Sequence, residues 1–257
     1  MISTPEITAW VGSYMWALVR ITALIAAAPI VGSRTVPAKV KLGIALALSL
    51  VIVPVIPAAP PVEPISTGAL MMTINQILIG AAMGLALQMV FAMFVIGGQI
   101  IAYQMGLGFS QMVDPQSGMQ VPVISQFYII VLTLVFFALN GHLLLIDVLV
   151  DSFKSMPLGV SGLSKDGMWG LVSWGSQMYI GAVQIALPAI AALLLVNFTF
   201  GVVTRSAPQF NIFSIGFPIT MVMGFFVIMA TLTTIMPHIT KQLQNVFDLV
   251  RMLIAGS

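Results

Sequence analysis

The chain has 257 residues, 60% hydrophobic and only 6% charged, where a soluble domain is roughly a quarter charged. A net charge of +2 is too small to mark a nucleic-acid partner, and the absence of cysteine excludes a disulfide framework or a thiolate metal site. Two histidines and seven acids, scattered along the chain, leave little for catalysis and suggest no cofactor.

The charges are gathered as well as few. Residues 64–113 form an uncharged run of 50, and 42–62, 115–141, 167–204 and 206–237 are also clear. A membrane-crossing helix needs about 20 apolar residues, so each window is long enough. This predicts an all-α, polytopic integral membrane protein, a single membrane domain over residues 1–257. Its spans fall near 8–30, 42–57, 69–102, 123–145, 175–203 and 212–236.

The opening "MISTPEITAW" lacks the basic region of a signal peptide and reads as a helix start. Thr4 is the candidate cap, Pro5 suits the first helical position, and Glu6 lies near the positive end of the dipole. Arg20 falls inside the first span, where a mid-bilayer charge costs about 2.5–3.5 kcal/mol on insertion scales. It must face a protein partner or water, as a structural pair, a backbone cap or a pore-lining group. The connector "VGSRTVPAKVK" holds the densest basic cluster, Arg34, Lys39 and Lys41. Residues 54–64 place five prolines in eleven positions, which favours a stiff, extended linker.

The basic loops fail to fix an orientation. Six simple spans put 31–41 and the tail with Lys241 and Arg251 on opposite sides, although both are net basic. One escape makes 69–102 a hairpin, since 34 helical residues would reach about 51 Å, beyond a ~30 Å hydrocarbon core. The other is that the chain does not end as an ordinary bundle in lipid. Within this span Gly80 and Gly84 form a GxxxG that admits a close helix, from this chain or another. Gly97-Gly98-Gln99 allows a bend or tight contact.

"GLGFSQMVDPQSGMQVP", residues 106–122, carries one charge, Asp114, among three glycines, three glutamines and two methionines. Asp114-Pro115 is a turn signal, and Gly106, Gly108 and Gly118 permit unusual dihedrals. Non-helical backbone at membrane depth must be buried in protein or line an aqueous cavity. The segment is an external turn or a re-entrant element; its shortage of charge favours the second. Met105, Met112 and Met119 are candidates for a compliant seal, with core filling as the plainer role. Residues 146–167 read as a mixed-charge loop. The tail, about 238–255, reads as an amphipathic helix with Ile239, Leu243, Val246, Phe247, Val250, Leu253 and Ile254 on one stripe. It packs on its own bundle, lies at the interface, or docks on a partner.

Two stretches carry a family resemblance. "ALPAIAALLLVNFTFGVVTRSAPQFNIFSIGFPITMVMGF" (186–225) resembles the FliR family of flagellar export-gate proteins and its injectisome relatives. The matching residues include Pro188, Gly201, Arg205, Ala207-Pro208-Gln209, Asn211, Phe213 and Gly216-Phe217-Pro218. "RITALIAAAPIVGSRTVPAKVKLGIALAL" (20–48) is similar to the family's first hairpin, and "QMGLGFSQMVDPQSG" and "NGHLLLIDVLVDSF" follow in order. Gln99 departs from the acid that many members carry there.

The resemblance implies a non-enzymatic subunit of the type III export gate in the bacterial inner membrane and flagellar basal body. Helical hairpins would pack with several copies of FliP and FliQ, near FlhB and FlhA, in an assembly raised partly toward the periplasm. Its other contacts would be unfolded flagellar export substrates and membrane lipid. It further implies that 106–122 is a plug, with Gly106, Gly108, Phe109, Met112, Asp114, Pro115, Gly118, Met119 and Pro122 as its residues. Arg20, Gly80, Gly84, Arg205 and Pro208 take structural or interface roles. The rivals are the equivalent part of a virulence secretion system and, from another class, a stand-alone solute transporter. An intramembrane enzyme fits poorly, because Asp114, His142, Asp147 and Asp151 show no HExxH or similar spacing.

Overall fold

A computed structural model describes residues 4–63, 66–108, 122–159, 162–207 and 216–255. Among them every regular element is helical: α1 (Thr4–Ala27), α2 (Ala38–Ile52), α3 (Thr67–Gln104), α4 (Val123–Ala138), α5 (Gly141–Ser155), α6 (Lys165–Ser206) and α7 (Phe217–Ala255). A short 3-10 turn, Val53–Val55, closes α2 at the first of the linker prolines. The chain is a polytopic all-α membrane protein. Four helices are long and apolar enough to cross a membrane, five if the bent α4–α5 pair counts as one span.

Several boundaries differ from those expected. α3 is one continuous helix of 38 residues, so the hairpin is excluded. Gly80, Gly84, Gly97 and Gly98 all lie within it, because an uninterrupted apolar run supplies no partner that would favour a turn over backbone hydrogen bonds. The single span over 123–145 is instead broken at Asn140, and the helix pair is bent by 66°. Asn140 takes the left-handed conformation, φ 55° and ψ 30°, which asparagine tolerates better than most side chains. Much of the supposed 146–167 loop is helix, since α5 runs to Ser155 and α6 starts at Lys165. The tail helix is not separate. It is the last part of α7, which runs through Pro237 without ending.

The chain forms two compact units. The first comprises residues 1–90, 136–175 and 243–257; the second comprises 91–135 and 176–242. In the first, the glycine pair of α3 lies against α1. A Cβ on Gly80 would meet the Arg20 carbonyl and come within 2.9 Å of Ala23 Cβ; one on Gly84 would lie 2.6 Å from Ala27 Cβ. The partner of the GxxxG is therefore in the same chain. The tail stripe from Leu243 to Ile254 is also buried, as is Ile239, so α7 covers the stripe within its own chain.

In the second unit, methionine fills the space that glycine leaves. Met93 packs on Gly181, and a Cβ on Gly224 would fall 2.7 Å from Met105 Sδ. A Cβ on Gly98 would stand 2.7 Å from the Ser125 Cα, and the Ser125 hydroxyl donates to the Val95 carbonyl at 2.8 Å. Glycine allows close backbone approach, and the unbranched thioether adapts to the remaining gap.

Candidate functional site

Arg20 is wholly buried, and every partner it has is neutral. Its Nε donates to Gln76 Oε1 at 2.7 Å, Nη1 to the Ser152 carbonyl at 2.7 Å and Ser152 Oγ at 3.1 Å, and Nη2 to the Met156 carbonyl at 2.8 Å. The guanidinium carbon lies 4.3 Å from the centroid of the Phe153 ring. These groups come from α1, α3 and the last turn of α5, all in the first unit. A cation beside a helix C-terminus meets the Met156 carbonyl, otherwise unpaired among the described residues, and faces the negative end of the dipole. It adds a second donor to the Ser152 carbonyl, which already accepts from Met156 N–H. Ser152 Oγ passes its own hydrogen to the Leu149 carbonyl, so it is free to accept from Arg20. Gln76 must turn its oxygen to the cation, which leaves its buried Nε2 unpaired among the described residues. Arg20 is thus a backbone cap that ties three helices together, with four of its five N–H donors bonded within the chain itself.

The second feature is the stop at the end of α3. Leu107 N–H donates to the Ala102 carbonyl and Gly106 N–H to the Tyr103 carbonyl, both at 3.0 Å. Gly106 has φ +80°. Together these make a Schellman motif, in which a left-handed glycine satisfies the last carbonyls and turns the chain out of the helix. A Cβ on Gly106 would stand 2.6 Å from Phe217 Cδ1, so the glycine is required by conformation and by space. On the far side, Pro122 precedes α4 and accepts from Gln126 N–H at 3.1 Å. Both ends of the 106–122 segment are therefore attached to long helices.

The structure places some of the expected residues and not others. Gly108 needs no positive φ; a Cβ there would meet the Tyr103 ring at 2.7 Å. Met105 is fully buried against Gly224 and is core filling, not part of a seal. Phe109, Met112, Asp114, Pro115, Gly118, Met119 and Pro208 lie outside the described residues. Arg205 is exposed in the last turn of α6, a favourable end for a cation. No group of three or more His, Asp or Glu among the described residues could hold a metal. Sequence reasoning missed Gln76, Ser152 and the Met156 carbonyl. The one available signal was Asn75-Gln76, a polar pair within the 50-residue uncharged run.

Fold and site together define a helical membrane protein whose buried Arg20 is structural and whose 106–122 connector, with a single charge, joins two helices. The family model for bacterial export proteins, family 1, matches residues 11–246, and the chain belongs to that family. It is 38% identical to the flagellar biosynthetic protein FliR of Escherichia coli K12, over 96% of this chain and 95% of the relative. It is 36% identical to the Pectobacterium carotovorum FliR over 93% and 92%. The Bacillus subtilis FliR is 30% identical over 92% and 91%.

Proposed function

We propose that this chain is a membrane subunit of the bacterial flagellar type III protein export gate, with no catalytic role. Residues 1–257 act as one membrane domain that forms part of the channel, and 106–122 is its plug. The observation that carries the reading is the length of α3, α6 and α7. At 38, 42 and 39 residues they reach about 57, 63 and 58 Å, nearly twice a ~30 Å hydrocarbon core. The outward side of α6 is nonetheless apolar over about 44 Å, from Trp169 and Val172 to Leu195 and Phe198, all more than 60% exposed. Apolar surface extending beyond the lipid calls for protein to cover it. Sister subunits FliP and FliQ are the fitting partners, with FlhB and FlhA alongside and unfolded flagellar proteins as cargo. The gate sits in the inner membrane at the basal body, partly raised toward the periplasm.

A gate must block ions when idle and yet yield to polypeptides of any sequence. Charged stoppers would hold some cargo tightly and repel other cargo, whereas Gly, Met and Gln make weak, adaptable contacts. In this reading Met112 and Met119 supply soft bulk, and Asp114, Pro115 and Gly118 fix the turn. The relatives named above are flagellar, which favours this reading over the virulence counterpart. A stand-alone solute transporter needs an intramembrane charge free for its substrate, and Arg20 has committed four of its five donors. Extraction in mild detergent tests the assignment. The expected result is a hetero-oligomer containing FliP and FliQ chains; a monomer that moves a small solute would refute it.

A further inference from the structure

We propose that the turn between α1 and α2 is a binding site for an anionic phospholipid, holding an acyl chain in an apolar cavity and the phosphate on a basic rim. The cavity, in the first unit, has a volume of about 140 Å³ and an apolar lining apart from the His142 ring. Its floor is Leu24, Leu87, Phe136 and Leu149, all nearly or wholly buried. Its open side is formed by Ile30, Val31, Ile44 and Phe137, which are half-buried or exposed. An apolar cavity of roughly 150 Å³ stays dry and takes hydrocarbon ligands. In a membrane the hydrocarbon at hand is the acyl chain.

The charges select among lipids. Lys41, Ile44 and Leu48 follow at spacings of three and four, so they share a face of α2, and the latter two line the cavity. Lys41 Nζ donates to the Gly32 carbonyl at 2.8 Å, one residue past the lining residue Val31. This fixes an ammonium at the rim with two of its three donors still to place. Arg34 is exposed on the connecting turn, whereas Lys39, also exposed, lies on the side of α2 away from Ile44 and Leu48. Ion pairs among the described residues are Lys154–Asp151 and Arg251–Asp248, so no carboxylate neutralises this cluster. Lys41 at the rim and Arg34 on the connector beside a hydrocarbon slot match a lipid with an anionic head, and a zwitterionic one less well.

Native mass spectrometry tests this on the full chain and on the complex extracted with it. Each is incubated in mild detergent with equal amounts of palmitoyl-oleoyl phosphatidylglycerol and phosphatidylcholine. The expected result is one retained phosphatidylglycerol, preferred roughly tenfold or more. The R34Q/K39Q/K41Q variant should bring that preference close to parity without changing elution or helicity. Leu48→Trp, which fills the slot and leaves the cations, should lose both lipids; Leu48→Phe replaces it if the larger side chain prevents folding. Equal retention of the two lipids by the wild type would overturn the proposal, as would a variant set that leaves retention unchanged. Retention by the lone chain but not by the complex would also overturn it, since a sister protein would then be the occupant.

Discussion

At Arg20 the cost of burying a charge is met by groups fixed elsewhere in the fold. The Met156 carbonyl at the helix end needs a donor, the Ser152 carbonyl takes a second one beside Met156 N–H, and Gln76 supplies the remaining acceptor. Arg20→Met would leave Met156 O and Gln76 Oε1 buried without partners, at about 1–3 kcal/mol each. The expected outcome is a loss of roughly 3–5 kcal/mol, read as a lower unfolding midpoint of the detergent-extracted complex; an unchanged midpoint would contradict the cap. Lysine would not rescue fully, because a point charge cannot reproduce a planar fork. Gly106→Ala should cost about 1–2 kcal/mol through its φ of +80°, with a further clash against Phe217, and the same melt reads it. The need for a partner at Arg20 was legible, since a charge in an apolar span is costly. The partners were not: Ser152 and Met156 act through carbonyls that every residue carries, 132 and 136 positions away.

Helix type follows from the apolar runs; the number of spans and the breaks between them do so less well, six being expected where four helices, or five with the bent pair, are long and apolar enough. Asn140-Gly141 is a turn signal that uninterrupted hydropathy concealed, while the pair Gly97-Gly98, open to a bend or a tight contact, serves contact, since Cβ atoms there would meet the Ala182 carbonyl and Ser125. Hydropathy reports solvent preference, which a bent and a straight helix share. Two tests belong here. Asn140→Gly should leave stability unchanged or slightly raised, and Asn140→Val should cost about 1–2 kcal/mol, because only the second resists a left-handed φ. Gly80→Val should cost roughly 1–3 kcal/mol or more by forcing α3 away from the Arg20 carbonyl and Ala23. Both are read by thermal unfolding of the chain, and insensitivity of Gly80 would mean that α1 and α3 do not pack as closely as described. The GxxxG itself was readable; that it serves an in-chain partner was not, since spacing carries no address.

For the whole molecule, the conflict between the two basic loops and the excessive helix lengths have a common physical source. Helices apolar enough for insertion but too long for lipid need other protein along part of their length. In the proposed reading a channel made that way needs a closure, and the connector tethered by the Gly106 stop, with Asp114 its single charge, is the segment suited to it. Replacing Met112 and Met119 together by Asp should make the seal leak or jam export of flagellar protein, measured by secretion and motility. Normal export with normal tightness would refute the soft-seal idea. The most direct measurement is ion conductance of resting membranes from cells whose chain lacks residues 110–119. The account predicts a clear rise in leak over wild type with the complex still assembled; wild-type conductance in that assembled variant would contradict it.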